Sequence, residues 1–207
     1  MPVPSSVSAG QSADMTPSEA RAETCPGTWI VLLRAVNVGR ANRIGMSDLR
    51  ASLEALGYRD VRTYLQSGNA VFCADCQSSA TLAAAIHDRL VADSCIDVGV
   101  IVLSASEFDS IARGNPLLAE ESADESHMHV IVFEQPSDPA RFDSLSLPSR
   151  PGERAVLLGR AIYLALPFGM GRTKLTGAYF ERALGQAGTA RNWRTVTALI
   201  ELACERA

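Results

Sequence analysis

Apolar and polar positions alternate between two periods along this chain, and the switches mark its elements. Trp29 to Leu33 is a short, continuous apolar run, the signature of a central strand. Met46, Leu49, Leu53 and Leu56 recur at helical spacing and trace one face of a helix, with Ser47 as its expected N-cap and Gly57 as its stop. Val61–Gln66 and Asn69–Cys73 read as two strands joined around Ser67 and Gly68. Leu82, Ile86 and Leu90 mark a second helix, and Val98–Leu103 a further strand. The order is βαββαβ, the split-βαβ or ferredoxin-like pattern.

A similar order follows. Phe108 and Ile111 suit a short connecting helix, and His129–Phe133 is a strong strand. Pro139–Leu145 fits a helix, and Ala155–Leu158 with Ala161–Leu166 form a hairpin around Gly159-Arg160, a Gly-X turn that suits type II′. Lys174–Leu184 is expected to be a helix closed by Gly185, followed by a short strand at Gly188–Ala190. Trp193, Val196, Ile200 and Ala203 trace the apolar face of a last helix. The predicted class is therefore α+β: two tandem ferredoxin-like plaits plus a C-terminal helix, each sheet covered on one face by its helices. Residues 1–27 form an expected disordered tail, 28–104 the first plait, 105–126 a connecting helix with an acidic linker, and 127–207 the second plait with the final helix.

Two stretches carry the most specific residues. The first contains LLRAVNVG, MSDLRASLEALGY and VRTYLQSGNAVF; the second contains GRTKLTGAYFERALG and ARNWRTV. Over about residues 28–204 the chain resembles an uncharacterised bacterial family, domain-of-unknown-function family 1697. The resemblance implies tandem ferredoxin-like halves and brings no established activity, cofactor or substrate. Ala35 and Arg40 depart from the family pattern, which commonly shows glycine at both positions.

Composition narrows the function classes. Of the 207 residues 47% are hydrophobic and 20% charged, ordinary for a globular protein. Nineteen Lys and Arg against 23 Asp and Glu leave a net charge of −4, which argues against non-specific nucleic-acid or anionic-membrane binding. The charge is uneven: residues 93–153 hold twelve acids and three bases, whereas residues 160–200 hold six bases and Glu181 alone. No run approaches the ~18 apolar residues of a membrane span. The first 27 residues, rich in Ser, Ala, Pro and Thr, lack a signal-peptide core, and Met15 is an alternative start. Five scattered cysteines (Cys25, Cys73, Cys76, Cys95, Cys204) fit reduced thiols and a cytoplasmic location. Cys73 and Cys76 form a lone CxxC without a second ligand pair, so incidental cysteines are the expected reading.

Candidate chemistry sits at strand ends and helix starts. GMGRTKLT is expected to lead from a strand into a helix, presenting Arg172 and Lys174 at a positive helix end. It is not a Walker A loop, because Leu175 follows the lysine and the glycine spacing fails. Arg191 and Asn192 form a second polar helix start, where Asn192 also suits an N-cap. In the first half Arg34 ends a buried strand and needs a partner, either structural, such as a carbonyl or Glu54, or a ligand anion. Asn37 and Arg43 extend its loop, and Gln66, Ser67 and Asn69 lie on the β-turn beside it. These residues would line a shared anion-accepting cleft between the halves. In the rival reading each base pairs with an acid from residues 93–153 and supports only docking. His127 and His129 share a strand face, but no third metal ligand is placed, and no metal is expected. No GxSxG, HExxH or dinucleotide glycine motif occurs, and no cofactor is assigned. Three classes remain: a non-catalytic binder of a small anionic ligand such as a nucleotide or phosphorylated metabolite, an enzyme using the same loops, or a structural module. An oligomer is compatible with each.

Overall fold

The computed structural model describes residues 27–37, 42–75, 78–119 and 124–205. The expected N-terminal tail, with Met15 and Cys25, lies outside the described residues except for Gly27, as do Arg40 and Cys76. The first half runs β1 (Thr28–Leu33), α1 (Met46–Ala55), β2 (Arg59–Tyr64), β3 (Asn69–Cys73), α2 (Ser79–Ser94) and β4 (Val100–Ser104). Helix α3 (Ala105–Arg113) and two single 3₁₀ turns, Pro116–Ala119 and Glu125–His127, connect it to the second half. That half runs β5 (Met128–Phe133), α4 (Pro139–Asp143), β6 (Arg154–Leu158), β7 (Ala161–Ala165), α5 (Gly177–Leu184), β8 (Gly188–Asn192) and α6 (Trp193–Cys204).

The class is α+β, with two four-stranded antiparallel sheets ordered β2-β3-β1-β4 and β6-β7-β5-β8. Alternation along each strand divides its side chains between two cores. Val31, Leu33, Phe72 and Val102 face out and bury against Leu49 and Leu53 of α1 and Leu82, Ile86 and Leu90 of α2. Ile131, Phe133, Ile162 and Leu164 pack likewise against Phe142 of α4 and Phe180 and Leu184 of α5. The opposite faces do not meet solvent. Ile30, Leu32, Val71, Ile101 and Leu103 of the first sheet share one core with Val130, Val132 and Tyr163 of the second. Phe108 and Ile111 of α3 and Trp193, Val196 and Leu199 of α6 fill the space between them. The layers run α1/α2, sheet, α3/α6, sheet, α4/α5. The expectation of one covered face per sheet is therefore corrected: the connecting and final helices cover the other.

Two helix starts also differ from expectation. Gly45, not Ser47, occupies the N-cap of α1, without a side-chain cap, while Gly57 at φ +80° does end the helix. GMGRTKLT does not open a helix directly: Met170–Arg172 is a single 3₁₀ turn, and α5 begins only after Thr176, whose Oγ1 accepts from the Tyr179 N–H at 3.2 Å. A Thr followed by Gly wins the cap because its hydroxyl satisfies a first-turn N–H that Lys174 could not.

Candidate functional site

Four of the predicted site residues meet at the seam between the halves. Arg191, near the end of β8, is only 8% exposed. Its Nε donates to Asn69 Oδ1 at 2.5 Å, Nη1 to Thr189 Oγ1 at 2.7 Å and the Ala190 carbonyl at 2.8 Å. Nη2 donates to the carbonyls of Leu33 at 2.8 Å and Ser67 at 3.3 Å. A guanidinium has five N–H groups, and each therefore has an acceptor. All these acceptors are neutral, and burial drives the Arg191 pKa down to about 10. Asn69 completes the knot by donating to the Tyr64 carbonyl at 3.1 Å and to Ser67 Oγ at 2.8 Å.

Arg34 stands one residue beyond β1 and reaches α5 of the other half. Its Nε and Nη2 grip Glu181 Oε1 and Oε2 at 2.6 and 2.7 Å, a two-point pairing. The hydrogen bond to Glu181 raises the Arg34 pKa. Burial pushes the Glu181 carboxyl up, but Arg34 and the Gly188 N–H at 3.0 Å outweigh it and hold the group below its usual range. The partner is thus an acid, as the docking reading requires, but it lies outside residues 93–153 and is not Glu54. Glu181 escaped nomination, although it is the sole acid among six bases in residues 160–200.

The remaining predicted residues do not join this seam as ligand groups. Asn37 ties its own loop, donating to the Ile44 and Gln66 carbonyls at 2.9 and 2.8 Å and accepting from the Ile44 N–H at 3.0 Å. Asn37 and Ala35 both have positive φ, 54° and 53°, which explains why glycine suits position 35. Gln66 and Arg43 are exposed. Asn192 caps α6 by accepting from the Thr195 N–H at 2.9 Å. Arg172 is exposed at the 3₁₀ turn.

Lys174 lines a different place, a 570 Å³ cavity at the start of α5 with Pro148, Thr173, Thr176, Ala178, Tyr179 and Arg182. None of the seam residues lines it. Lys174 and Arg182 have no carboxylate partner among the described residues, and the Gly177 and Ala178 N–H groups of the first turn bond to no described group. Such a helix end, flanked by two free bases, suits an anion electrostatically.

A second cavity of 340 Å³ lies between the halves, lined by Ala80, Ala83, Ala84 and His87 of α2, the β4 edge, Glu134, Gln135 and Arg160. Arg160 is committed there to Glu107 Oε1 and to the carbonyls of Phe133 and Glu134, each at 2.7 Å. Sequence reading did not find this crevice, because its walls are alanines and a strand edge. Of the histidine pair, His127 Nδ1 meets Asp124 Oδ2 at 2.8 Å, whereas His129 Nδ1 is buried without a partner. Burial lowers the His129 pKa. Among the described residues no group of three His, Cys, Asp or Glu side chains could hold a metal ion, and no described helix is long and apolar enough to cross a membrane.

Comparison with known proteins agrees with this geometry at the level of fold. No curated protein matches the chain. The structure of the conserved bacterial protein SP0830 from Streptococcus pneumoniae superposes with a TM-score of 0.62 at 22% identity, covering 85% of this chain and 98% of that one. A family model described as "Protein of unknown function (DUF1697)" matches residues 27–163, from the start of β1 into β7, and stops short of the GMGRTKLT loop. That match covers well over half of the sequence, and the chain belongs to the DUF1697 family.

Proposed function

We propose that the protein is a non-catalytic binder of a small anionic ligand, a nucleotide or phosphorylated metabolite, seated at the start of α5. The observation that carries this reading is the pair of unpartnered bases, Lys174 and Arg182, lining one cavity beside two unused first-turn N–H groups. At the seam Arg191 is saturated by protein acceptors and Arg34 is already paired with a carboxylate, so the anion seat moves from the shared cleft to this cavity. Each half is read as a ferredoxin-like plait, supported by the repeated βαββαβ order and by the central placement of the first and third strands. The division at 28–104, 105–126 and 127–207 follows that repeat.

Calorimetry with inorganic phosphate, AMP and glucose 6-phosphate tests the proposal. Removing both bases, as Lys174→Ala with Arg182→Ala, should weaken binding at least ~10-fold, the loss expected from two charge-assisted contacts. Melting temperature should hardly change, since neither side chain has a hydrogen-bond or ion-pair partner among the described residues. Wild-type protein that binds none of the three compounds, or a double variant that binds as well as wild type, would overturn the reading. A second reading, that Arg34 and Arg191 serve docking of the halves, is favoured by the two-point pairing of Arg34 with Glu181 and by the full set of protein acceptors around Arg191.

A further inference from the structure

We infer that the crevice between the halves is a separate binding site for an uncharged amino-heterocycle, a nucleobase or its nucleoside. Four consecutive residues, Gly99, Val100, Ile101 and Val102, line it. Successive side chains of a strand point to opposite faces, and here Val102 packs in the outer core while Ile101 packs in the inner one. What four residues in a row can present together is the backbone edge. Among the described residues strand β4 is an edge strand, paired with β1 alone.

The register fixes which polar groups face the crevice. The Arg34 N–H donates to the Gly99 carbonyl at 2.9 Å, so residue 99 and its alternates 101 and 103 bond toward β1. Val100 and Val102 then turn their N–H and C=O groups away from β1. The Val100 and Val102 side chains are buried in the outer core, and their outward backbone groups have no partner among the described residues. Backbone groups of a strand edge that faces a crevice are open to pairing with a molecule from outside the chain. A carbonyl at one residue and an N–H two residues on form an acceptor–donor couple along an extended edge. An exocyclic amine beside a ring nitrogen complements that couple: the amine donates to the Val100 carbonyl and the ring nitrogen accepts from the Val102 N–H.

The walls and charges select the same class. Ala80, Ala83 and Ala84 recur on one face of α2 and leave room for a flat ring against the strand edge. The volume of 340 Å³ falls within the ~300–1,000 Å³ common for small-molecule sites, and such sites favour interfaces between structural units. Arg160 is paired with Glu107, and His87 stands between the carboxylates of Asp97 and Asp88. Around the crevice the four carboxylates of Glu107, Glu134, Asp88 and Asp97 stand against Arg160, His87 and Arg34, and Arg34 is itself gripped by Glu181, so a phosphate placed there would meet an excess of negative charge. Base and nucleoside should therefore bind in preference to nucleotide. This site is distinct from the cavity at Lys174, and either can fail without the other.

Ligand-observed NMR and amide-shift mapping of the full chain with adenine, cytosine, adenosine and AMP provide the test. Adenine and adenosine should bind and shift the Val102 amide, and AMP should bind this site several-fold more weakly than adenosine. Ala84→Leu, at an exposed wall position that should fold normally, should cut adenine affinity at least ~10-fold by filling the slot. Ala80→Leu offers the same test from a second wall position. The inference is overturned if neither adenine, cytosine nor adenosine binds at millimolar concentration. It is also overturned if binding leaves Val102 unshifted, survives both leucine variants, or is as strong for AMP as for adenosine at this site.

Discussion

Arg191 is a buried cation held by dipoles alone, and that makes it the most consequential single side chain at the seam. Its donors tie the end of β1, the β2–β3 turn and β8 into one knot. Arg191→Met would leave Asn69 Oδ1 without its donor and the Leu33 carbonyl with only the long 3.5 Å contact from the Thr189 hydroxyl, and unsatisfied buried acceptors are costly to leave unpaired. The expected loss is about 3 kcal/mol or more in urea denaturation. Arg191→Lys should recover little of it, because three donors on one ammonium cannot replace a planar fork of five. A methionine variant as stable as wild type would refute the role. His87 sets a weaker, pH-dependent contribution on the surface. Its Nε2 meets Asp97 at 3.0 Å and its Nδ1 meets Asp88 at 3.2 Å, and these hydrogen bonds, Asp97 first, raise its pKa above the ordinary 6.5. A raised folded pKa adds stability that is complete below the unfolded value and is lost as pH rises through the folded one. Melting temperature should therefore fall more steeply above pH 6.5 in wild type than in His87→Gln; parallel pH profiles would exclude the effect.

At the scale of elements, local signals were read well and long-range ones were not. Helical spacing placed Leu49 and Leu53 on the buried face of α1 and Leu82, Ile86 and Leu90 on that of α2. Leu53→Ala should accordingly cost ~2–5 kcal/mol, measured by denaturation. A neutral result would mean that α1 buries another face. The Asn192 cap was also legible, because capping acts within one turn. The start of α5 was misplaced because Arg172 and Lys174 suggested a charged helix end, while the cap depends on the Thr176 hydroxyl just before Gly177. The Arg34–Glu181 and Arg191–Asn69 bonds join residues 147 and 122 positions apart. No period or motif encodes such a pair; it exists only once both sheets are built and docked. The crevice was invisible for the complementary reason, that backbone groups of an edge strand leave no mark on residue type.

For the whole molecule, the shared core between the sheets decides how the halves behave. Plait-type RNA binders use an open sheet face with aromatic stacking residues, but here both inner faces are buried under α3 and α6. The same burial couples the halves in folding. Helix α6 follows the second sheet in sequence, yet Trp193, Val196 and Leu199 lie in one core with Ile30, Leu32 and Val71 of the first. Neither sheet can lose α6 without exposing an apolar face to water, a penalty that scales with the area uncovered. The chain should therefore unfold in one cooperative transition, despite its internal repeat. Its two tryptophans allow a direct test: Trp29 reports on the first sheet and Trp193 on the central layer. In single-tryptophan variants carrying Trp29→Phe or Trp193→Phe, Leu199→Ala should lower stability by ~2–5 kcal/mol at either probe alike. If Leu199→Ala shifted the Trp193 transition while leaving that of Trp29 in place, the halves would be independent folding units and α6 would belong to the second alone.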